Sequence, residues 1–118
     1  MSSSITSFFD AWGMTDVTAR AQAVTSVVSN DVYYVDPSTP APLNGVQSLV
    51  DHVAMFTGNR PGATAQVADL SEHNGHARAT VDFMVNGSLG MRGQYFADLN
   101  SEGNITRMIG FIGIGDGA

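Results

Sequence analysis

The second half of the chain alternates apolar and polar residues between turn signals, and this pattern restricts the possible folds more than any other feature. The turn signals are Asn74-Gly75, Asn86-Gly87 and Glu102-Gly103-Asn104. Asn-Gly pairs favour the left-handed backbone conformations of tight hairpin turns. The pattern therefore predicts four antiparallel strands that follow one another as a meander. These strands are expected near residues 64–72, 77–86, 89–99 and 105–114.

The first part of the chain has the periodicity of helices. A short first helix, ended by Gly13, is predicted by apolar residues spaced i, i+3, i+4 and i+7, namely Ile5, Phe8, Phe9 and Trp12. Asp16 is expected to cap a second helix, and Arg20 falls on the exposed side of that helix.

A strand and a third helix follow. Residues 29–31 are expected to turn the chain into a strand over residues 32–36. Asn44-Gly45 then opens a third helix, which a glycine and Pro61 end. Four residues of this helix share the inward stripe: Leu49, His52, Val53 and Phe56.

The order of these elements predicts an α+β fold in which three N-terminal helices pack on a curved, mainly antiparallel β-sheet. Such a sheet curls into a cone that encloses a pocket between the first and third helices. The 118 residues correspond to one domain, 1–118, with an ordered core of about 5–114. The ends Met1–Ser4 and Gly115–Ala118 are expected to fray.

Asp36 ends the first strand and is the leading candidate for a chemical role. The preceding Val, Tyr, Tyr and Val favour a pleated strand, and Pro37 holds Asp36 in an extended conformation. Alternation places Tyr34 and Asp36 on the same face. A partly desolvated carboxylate at this position is expected to have a raised pKa, which suits a general base. The alternative is that Asp36 only forms an Asp-Pro turn.

Composition excludes several classes of partner. The net charge is −6, from eleven acidic residues and five basic residues, all of them arginine. Because nucleic-acid backbones and anionic membranes bind clustered Lys and Arg, neither is expected as a partner. Cysteine is absent, which excludes disulfides and thiolate chemistry. The chain shows neither a signal-peptide pattern nor a membrane-spanning segment, so a cytoplasmic location is expected.

Metal and cofactor sites are also not expected. His73 and His76 are close in sequence, but they flank a hairpin turn and have no third ligand nearby.

Four short motifs, taken in order, resemble those of a known superfamily. They are Ala11-Trp12 followed by Asp16, then Tyr34-Val35-Asp36-Pro37, then Leu43-Asn44-Gly45 before a helix with Leu49, and finally Ile105 to Phe111. Their order and spacing resemble the NTF2-like superfamily, which includes SnoaL-like and ketosteroid-isomerase-like domains, over nearly the whole chain.

The resemblance implies a cofactor-independent isomerase, cyclase or dehydratase-like enzyme acting on a small apolar carbonyl-type substrate. In ketosteroid isomerases an Asp base moves a proton while two donors stabilise an oxyanion. The family's general base falls on Asp36. Its first-helix oxyanion Tyr falls on Phe8, which has no proton to donate, and its protonated Asp falls on or near Tyr95.

His52 and Tyr95 are the other catalytic candidates. His52 could hydrogen-bond Asp36, or it could be an ordinary core histidine. Tyr95 could donate a hydrogen bond to a substrate oxygen, or it could be a core aromatic with its hydroxyl at the rim. The expected substrate-binding wall consists of Trp12, Tyr34, Val53, Phe56, Val81, Phe83, Tyr95 and Met108.

The residues leave three functions open. The first is an enzyme that uses Asp36 as a general base. The second is a non-catalytic protein that binds a small apolar organic molecule, which the missing donor at Phe8 favours. The third is a protein-interaction or dimerisation domain. A homodimer through the outer sheet face is expected, because the last strand is apolar on both faces.

Overall fold

The structure, a computed structural model, describes residues 4–113. The helices in this range are α1 (Ser4–Ala11), α2 (Val17–Thr25) and α3 (Val46–Asn59). The strands are β1 (Val28–Val35), β2 (Leu43–Asn44), β3 (Ala63–His73), β4 (His76–Val85), β5 (Ser88–Leu99) and β6 (Ile105–Ile112). Ser4, which is expected to fray, begins α1. Residues 1–3 and 114–118, which include the remaining predicted frayed ends, lie outside the described range.

The strands form one curved sheet in the order β2-β1-β6-β5-β4-β3. From β3 to β6, each strand pairs antiparallel with the next, which confirms the predicted meander. Both residues of each Asn-Gly turn have positive φ, at 51° and 81° for Asn74 and Gly75 and at 51° and 82° for Asn86 and Gly87. Positive φ at both central residues is what a two-residue type I′ hairpin turn requires.

The pairing of β1 was not specified by the sequence prediction, and its start differs from that prediction. β1 is parallel to β6, the one parallel pair in the described sheet. β1 begins at Val28, so the predicted turn at residues 29–31 is wrong. The register of β1 with β6 shifts between Val28 and Tyr33, which is typical of a β-bulge. Such a bulge keeps the polar residues 29–31 within the strand. The short β2, which pairs with β1, has no counterpart in the sequence prediction.

Arg20 is the main difference among the helices. α2 begins as predicted, because the Asp16 side chain accepts a hydrogen bond from the backbone N–H of Ala19 at 2.8 Å. Arg20, however, is buried, and its Nη1 donates to the carbonyl oxygen of Met14 at 3.0 Å. This bond to the α1–α2 connection draws the guanidinium inward, so the predicted exposure of Arg20 is wrong.

The helices and the sheet bury a cluster of aromatic rings. α1 packs against β3 and α2, and α3 packs against α2 and β1. The centroid of the Phe9 ring lies 4.9 Å from that of Tyr95, and the Trp12 and Phe56 centroids are 4.8 Å apart. A side chain at Gly110 would overlap the Tyr95 ring, so this glycine makes room for Tyr95. Aromatic side chains from α1, α3 and the sheet therefore set the shape of the interior.

Within the described range, no helix combines the length and the hydropathy that crossing a membrane requires.

Candidate functional site

Asp36 follows the last residue of β1 and is buried, with both carboxylate oxygens fully hydrogen-bonded. Its Oδ2 accepts from the Tyr34 hydroxyl at 2.6 Å and is 3.0 Å from His52 Nε2. Its Oδ1 accepts from the backbone N–H of Ser38 at 2.8 Å and from the Ser38 hydroxyl at 2.7 Å. Two donors therefore face each oxygen of this carboxylate.

Three elements bring these donors together. The alternation of β1 places Tyr34 on the same side as Asp36, and the inward stripe of α3 delivers His52. The turn after β1 delivers Ser38, and the hydroxyl of Thr39 stabilises that turn by bonding the backbone of Asp36 at 3.2 and 3.0 Å. Because an ionised carboxylate only accepts hydrogen bonds, Nε2 of His52 carries the proton in its bond to Asp36.

Hydrogen bonding outweighs burial in setting the charge of Asp36. Burial raises the pKa of this carboxyl, but the bonds from His52, Tyr34 and Ser38 together lower the pKa from 3.8 to about 2. The expected rise in pKa therefore has the wrong sign, because the donors around a carboxylate are set by tertiary contacts. Asp36 is ionised at neutral pH.

Two tyrosines next to this carboxylate remain protonated. Burial, the neighbouring Tyr95 and the negative charge of Asp36 raise the pKa of Tyr34 well above its ordinary value. Burial and the charge of Asp36 also raise the pKa of Tyr95. A side-chain hydrogen bond links the two phenols. Each tyrosine is therefore a hydrogen-bond donor at neutral pH.

A cavity of about 350 Å³ opens beside Asp36. Its aromatic wall consists of Trp12, Phe56, Phe83 and Tyr95, and its polar groups belong to Asp36, Ser38 and Arg60. Apolar residues near the surface complete the lining, among them Val85, Met91 and Ile112. The cavity wall thus combines a buried Asp with aromatic side chains around a mainly apolar space that opens to solvent.

The cavity contains only part of the predicted wall. Trp12, Phe56, Phe83 and Tyr95 line it, together with the predicted catalytic residue Asp36. The other predicted wall residues are 1% exposed or less and lie in the core without lining the cavity, namely Tyr34, Val53, Val81 and Met108. His52 also contacts Asp36 without lining the cavity. Inward-facing positions supply both the core and the wall, and periodicity alone does not separate the two.

Trp12 has a buried indole nitrogen without a hydrogen-bond partner in the described range. The tryptophan is 1% exposed. Phe8, one turn earlier on α1, is equally buried and has no polar atom. The hydroxyl donors near Asp36 already have partners: the Ser38 hydroxyl donates to Asp36, and the Tyr95 phenol is hydrogen-bonded to Tyr34.

Two polar residues of the cavity, Ser38 and Arg60, are absent from the sequence prediction. Ser38 has a recognisable signal, because an Asp followed two residues later by Ser is typical of a turn in which the Asp side chain accepts from the backbone. Arg60 directly follows α3, and its approach to the cavity depends on how α3 packs, which the local sequence does not reveal.

The two histidines at the β3–β4 hairpin do not suggest a metal site. His76 Nδ1 lies 2.7 Å from Asp98 Oδ1 on an exposed part of the sheet. In the part of the chain that the structure describes, no three His, Asp or Glu side chains are grouped so that they could hold a metal ion.

Comparisons with known proteins establish the fold. No protein-family model and no curated protein matches the chain. The chain is similar to a solved SnoaL-like family structure from Agrobacterium tumefaciens, described as a candidate isomerase, with a TM-score of 0.84, 22% identity and coverage of 94% of this chain and 95% of that one.

Two further solved structures have the same fold. A candidate ketosteroid isomerase from Kribbella flavida has a TM-score of 0.69 and 18% identity, and the match covers 94% of this chain and 76% of that one. A candidate SnoaL-like polyketide cyclase from Jannaschia sp. has a TM-score of 0.74 and 12% identity, covering 92% and 82% of the two chains. The resemblance to NTF2-like proteins is therefore confirmed as a shared α+β fold.

Proposed function

We propose that the protein is a cofactor-independent enzyme of the isomerase, cyclase or dehydratase type, with Asp36 as general base and a small apolar carbonyl-type molecule as substrate. One observation carries the proposal: a buried, ionised carboxylate lies on the wall of a mainly apolar cavity. The solved structures of the same fold that are described as isomerases and as a polyketide cyclase support this general type of reaction.

Oδ1 of Asp36 is the proton-accepting atom in this proposal. Buried Tyr34 and His52 hold Oδ2, whereas both bonds to Oδ1 come from Ser38, an exposed turn residue that also lines the cavity. The Ser38 hydroxyl rotates away when a substrate C–H group approaches Oδ1. Because the bonds from Ser38 lower the pKa of Asp36, losing one makes the carboxylate a stronger base.

Tyr95 stabilises the negative charge that develops on the substrate oxygen, once its phenol exchanges the hydrogen bond to Tyr34 for one to the substrate. Tyr95 lines the cavity, and its raised pKa keeps the phenol protonated at neutral pH. A donor aimed at the carbonyl oxygen stabilises the enolate that forms when the neighbouring C–H bond breaks. His52 positions Asp36 without touching the substrate.

The experiment is a proton-exchange assay with adamantyl methyl ketone as the probe. Deuterium incorporation into the methyl group next to the carbonyl is followed by NMR in D2O. Wild type is expected to accelerate the exchange over buffer, and Asp36→Asn is expected to reduce that acceleration by about 100-fold or more, as loss of a general base does.

The matched control is Asp82→Asn. The Asp82 carboxylate lies on β4 and binds the Nε of Arg92 at 2.5 Å outside the cavity, so this variant is expected to exchange protons like wild type. Full acceleration by Asp36→Asn would show that Asp36 is not the base.

A non-catalytic ligand-binding protein is the second candidate. It is favoured by the four hydrogen bonds to Asp36, because a carboxylate with a pKa of about 2 is a weak base. This candidate predicts that the ketone raises Tm through binding to the folded state, while its methyl protons exchange no faster than in buffer.

We also propose that the protein forms a homodimer through the outer face of its sheet. Phe96 on β5 and Phe111 on β6 are 42% and 56% exposed, and their ring centroids are 6.1 Å apart. Two copies related by a two-fold axis would cover this apolar pair.

Sedimentation of Phe111→Lys is expected to show a monomer, with Val17→Lys on α2 as the control that remains a dimer. A Phe111→Lys variant that sediments like a dimeric wild type would exclude this surface.

A further inference from the structure

We propose that Arg60 binds a carboxylate of the ligand at the mouth of the cavity, so that the preferred ligand is a small apolar acid. The inference rests on the proposed function only in placing the ligand in this cavity. It does not depend on whether Asp36 transfers a proton.

A tight turn fixes the backbone of Arg60 at the cavity. α3 ends at Asn59, and the backbone N–H of Ala63 donates to the carbonyl oxygen of Arg60 at 3.0 Å. Pro61 and Gly62 occupy the central positions of this turn, and Gly62 has a φ of +83°. Proline followed by a residue with positive φ is typical of a type II turn. The turn therefore holds Arg60 in place relative to Ala63, which also lines the cavity.

An aromatic ring of the cavity supports the Arg60 side chain. The guanidinium carbon lies 4.8 Å from the centroid of the Phe56 ring, and both residues line the cavity. A guanidinium over the face of a ring keeps its N–H edge available for a planar carboxylate. The ring thus holds the positive charge of Arg60 next to the apolar space and leaves its N–H groups free to bind a ligand.

Arg60 makes no ion pair with any residue between 4 and 113. Other arginines have partners within that range: Arg92 binds Asp82, and Arg20 donates to Met14. Because the chain has a net charge of −6, its overall field repels anions. A ligand carboxylate near the cavity is therefore stabilised most strongly beside the guanidinium of Arg60, which has no counter-ion among these residues.

The charges on the cavity lining also orient such a ligand. Asp36 is the only carboxylate among the described lining residues, and Arg60 is the only cation. Repulsion by the ionised Asp36 and attraction by Arg60 direct the acid group of the ligand to the mouth and its apolar part inward. The volume of about 350 Å³ is at the small end of the range for ligand pockets, roughly 300–1,000 Å³, and this fits a compact acid.

The experiment compares two probes of nearly equal size and shape, adamantane carboxylate and adamantyl methyl ketone. Their affinities are measured through the fluorescence of Trp12, the only tryptophan in the chain, which lines the cavity. Wild type is expected to prefer the acid. Arg60→Gln is expected to weaken acid binding by about three- to ten-fold, the scale of a partly exposed charge-assisted bond, and to leave ketone binding unchanged.

Two further variants make the result specific. Arg60→Lys is expected to retain part of the preference, because lysine keeps the charge but not the planar fork. Arg78→Gln removes an exposed arginine of β4 outside the cavity and is expected to bind both probes like wild type.

Each other outcome has a distinct meaning. Equal affinity of wild type and Arg60→Gln for the acid would overturn the role of Arg60 and leave the proposed function standing. Failure of wild type to bind either probe would contradict both proposals. Acid binding that depends on Arg60, combined with proton exchange that does not depend on Asp36, would support the role of Arg60 and contradict only the catalytic proposal.

Discussion

Residues 4–113 contain two histidine–aspartate pairs, which differ mainly in their exposure to water. His52 Nε2 is 3.0 Å from Asp36 Oδ2, and these side chains are 6% and 3% exposed. His76 Nδ1 is 2.7 Å from Asp98 Oδ1, and these side chains are 71% and 46% exposed. The exposed pair is the shorter one, so the distance between the atoms does not decide which pair matters more.

Water explains the difference between the pairs. Around His76 and Asp98, water screens the charges and replaces any lost hydrogen bond, so such a pair contributes little. Around Asp36, little water is available, and removing one partner leaves buried polar groups without hydrogen bonds. The buried pair also shares its carboxylate with Tyr34 and Ser38 and faces the cavity. The same pair of residue types is therefore a surface contact at one place and the centre of the site at the other.

The largest expected difference in stability is the one between the variants that delete the carboxylates of Asp36 and Asp98. Asp36→Ala leaves the buried Tyr34 hydroxyl and His52 without their acceptor, so the free energy of unfolding is expected to fall by about 3–5 kcal/mol. Asp98→Ala is expected to lower it by less than about 1 kcal/mol. Urea unfolding of both variants measures the difference. Similar losses for the two variants would show that burial does not make the Asp36 pair more important for stability than the Asp98 pair.

The pH dependence of stability is expected to isolate the charge of Asp36. Its folded-state pKa of about 2 lies below the ordinary 3.8. The ionised carboxylate therefore stabilises the fold above pH ~4, and this contribution is lost as the pH falls from about 4 to about 2. In urea unfolding, wild type is expected to lose its advantage over Asp36→Asn across this window. A constant difference between the two proteins over the same window would contradict the lowered pKa.

Ser38 is expected to have a smaller effect, confined to Oδ1 of Asp36, the oxygen that it binds. Ser38→Ala removes the hydroxyl bond to Oδ1 of Asp36, so the pKa of Asp36 is expected to rise. The control is Thr39→Val, because the Thr39 hydroxyl bonds only the backbone of Asp36. Titration of the Asp36 carboxyl carbon by NMR measures both variants. An equal shift in the two would mean that loosening of the turn, and not the lost hydroxyl, changes the pKa.

The smallest effect is expected at His76. His76→Gln changes only the exposed pair, so the free energy of unfolding is expected to change by less than about 0.5 kcal/mol. Ketone proton exchange is expected to equal that of wild type. A loss of stability above about 2 kcal/mol in urea unfolding would show that the exposed pair matters more than its exposure suggests.

Local sequence signals were sufficient for most of the fold. Asn74-Gly75 and Asn86-Gly87 predict hairpins because each pair favours one kind of turn, and Asp16 predicts the start of α2 because its side chain caps the helix within three residues. The parallel pairing of β1 with β6 joins segments that are far apart in sequence. The burial of Arg20 depends on a carbonyl in the preceding connection. Such contacts leave no local pattern, which is why the sequence does not reveal them.

The sequence predicted some members of the candidate site but not its electrostatics. Alternation brings Tyr34 to the side of Asp36, and helical spacing brings His52 inward, so the structure joins these residues as the patterns indicate. The sign of the pKa shift depends on how many donors surround the carboxylate, and that number includes the unforeseen Ser38. Periodicity also places Tyr34 inward without showing that it lies in the core behind the cavity.

The role proposed for Asp36 requires that hydrogen bonds keep this residue ionised on the wall of the cavity. An NMR titration of the Asp36 carboxyl carbon in wild type tests it most directly, with Asp36→Asn identifying the resonance. A pKa of about 2 is expected, with this carboxyl ionised above pH ~4. A pKa at or above the ordinary 3.8 would show that burial outweighs the hydrogen bonds that Asp36 accepts.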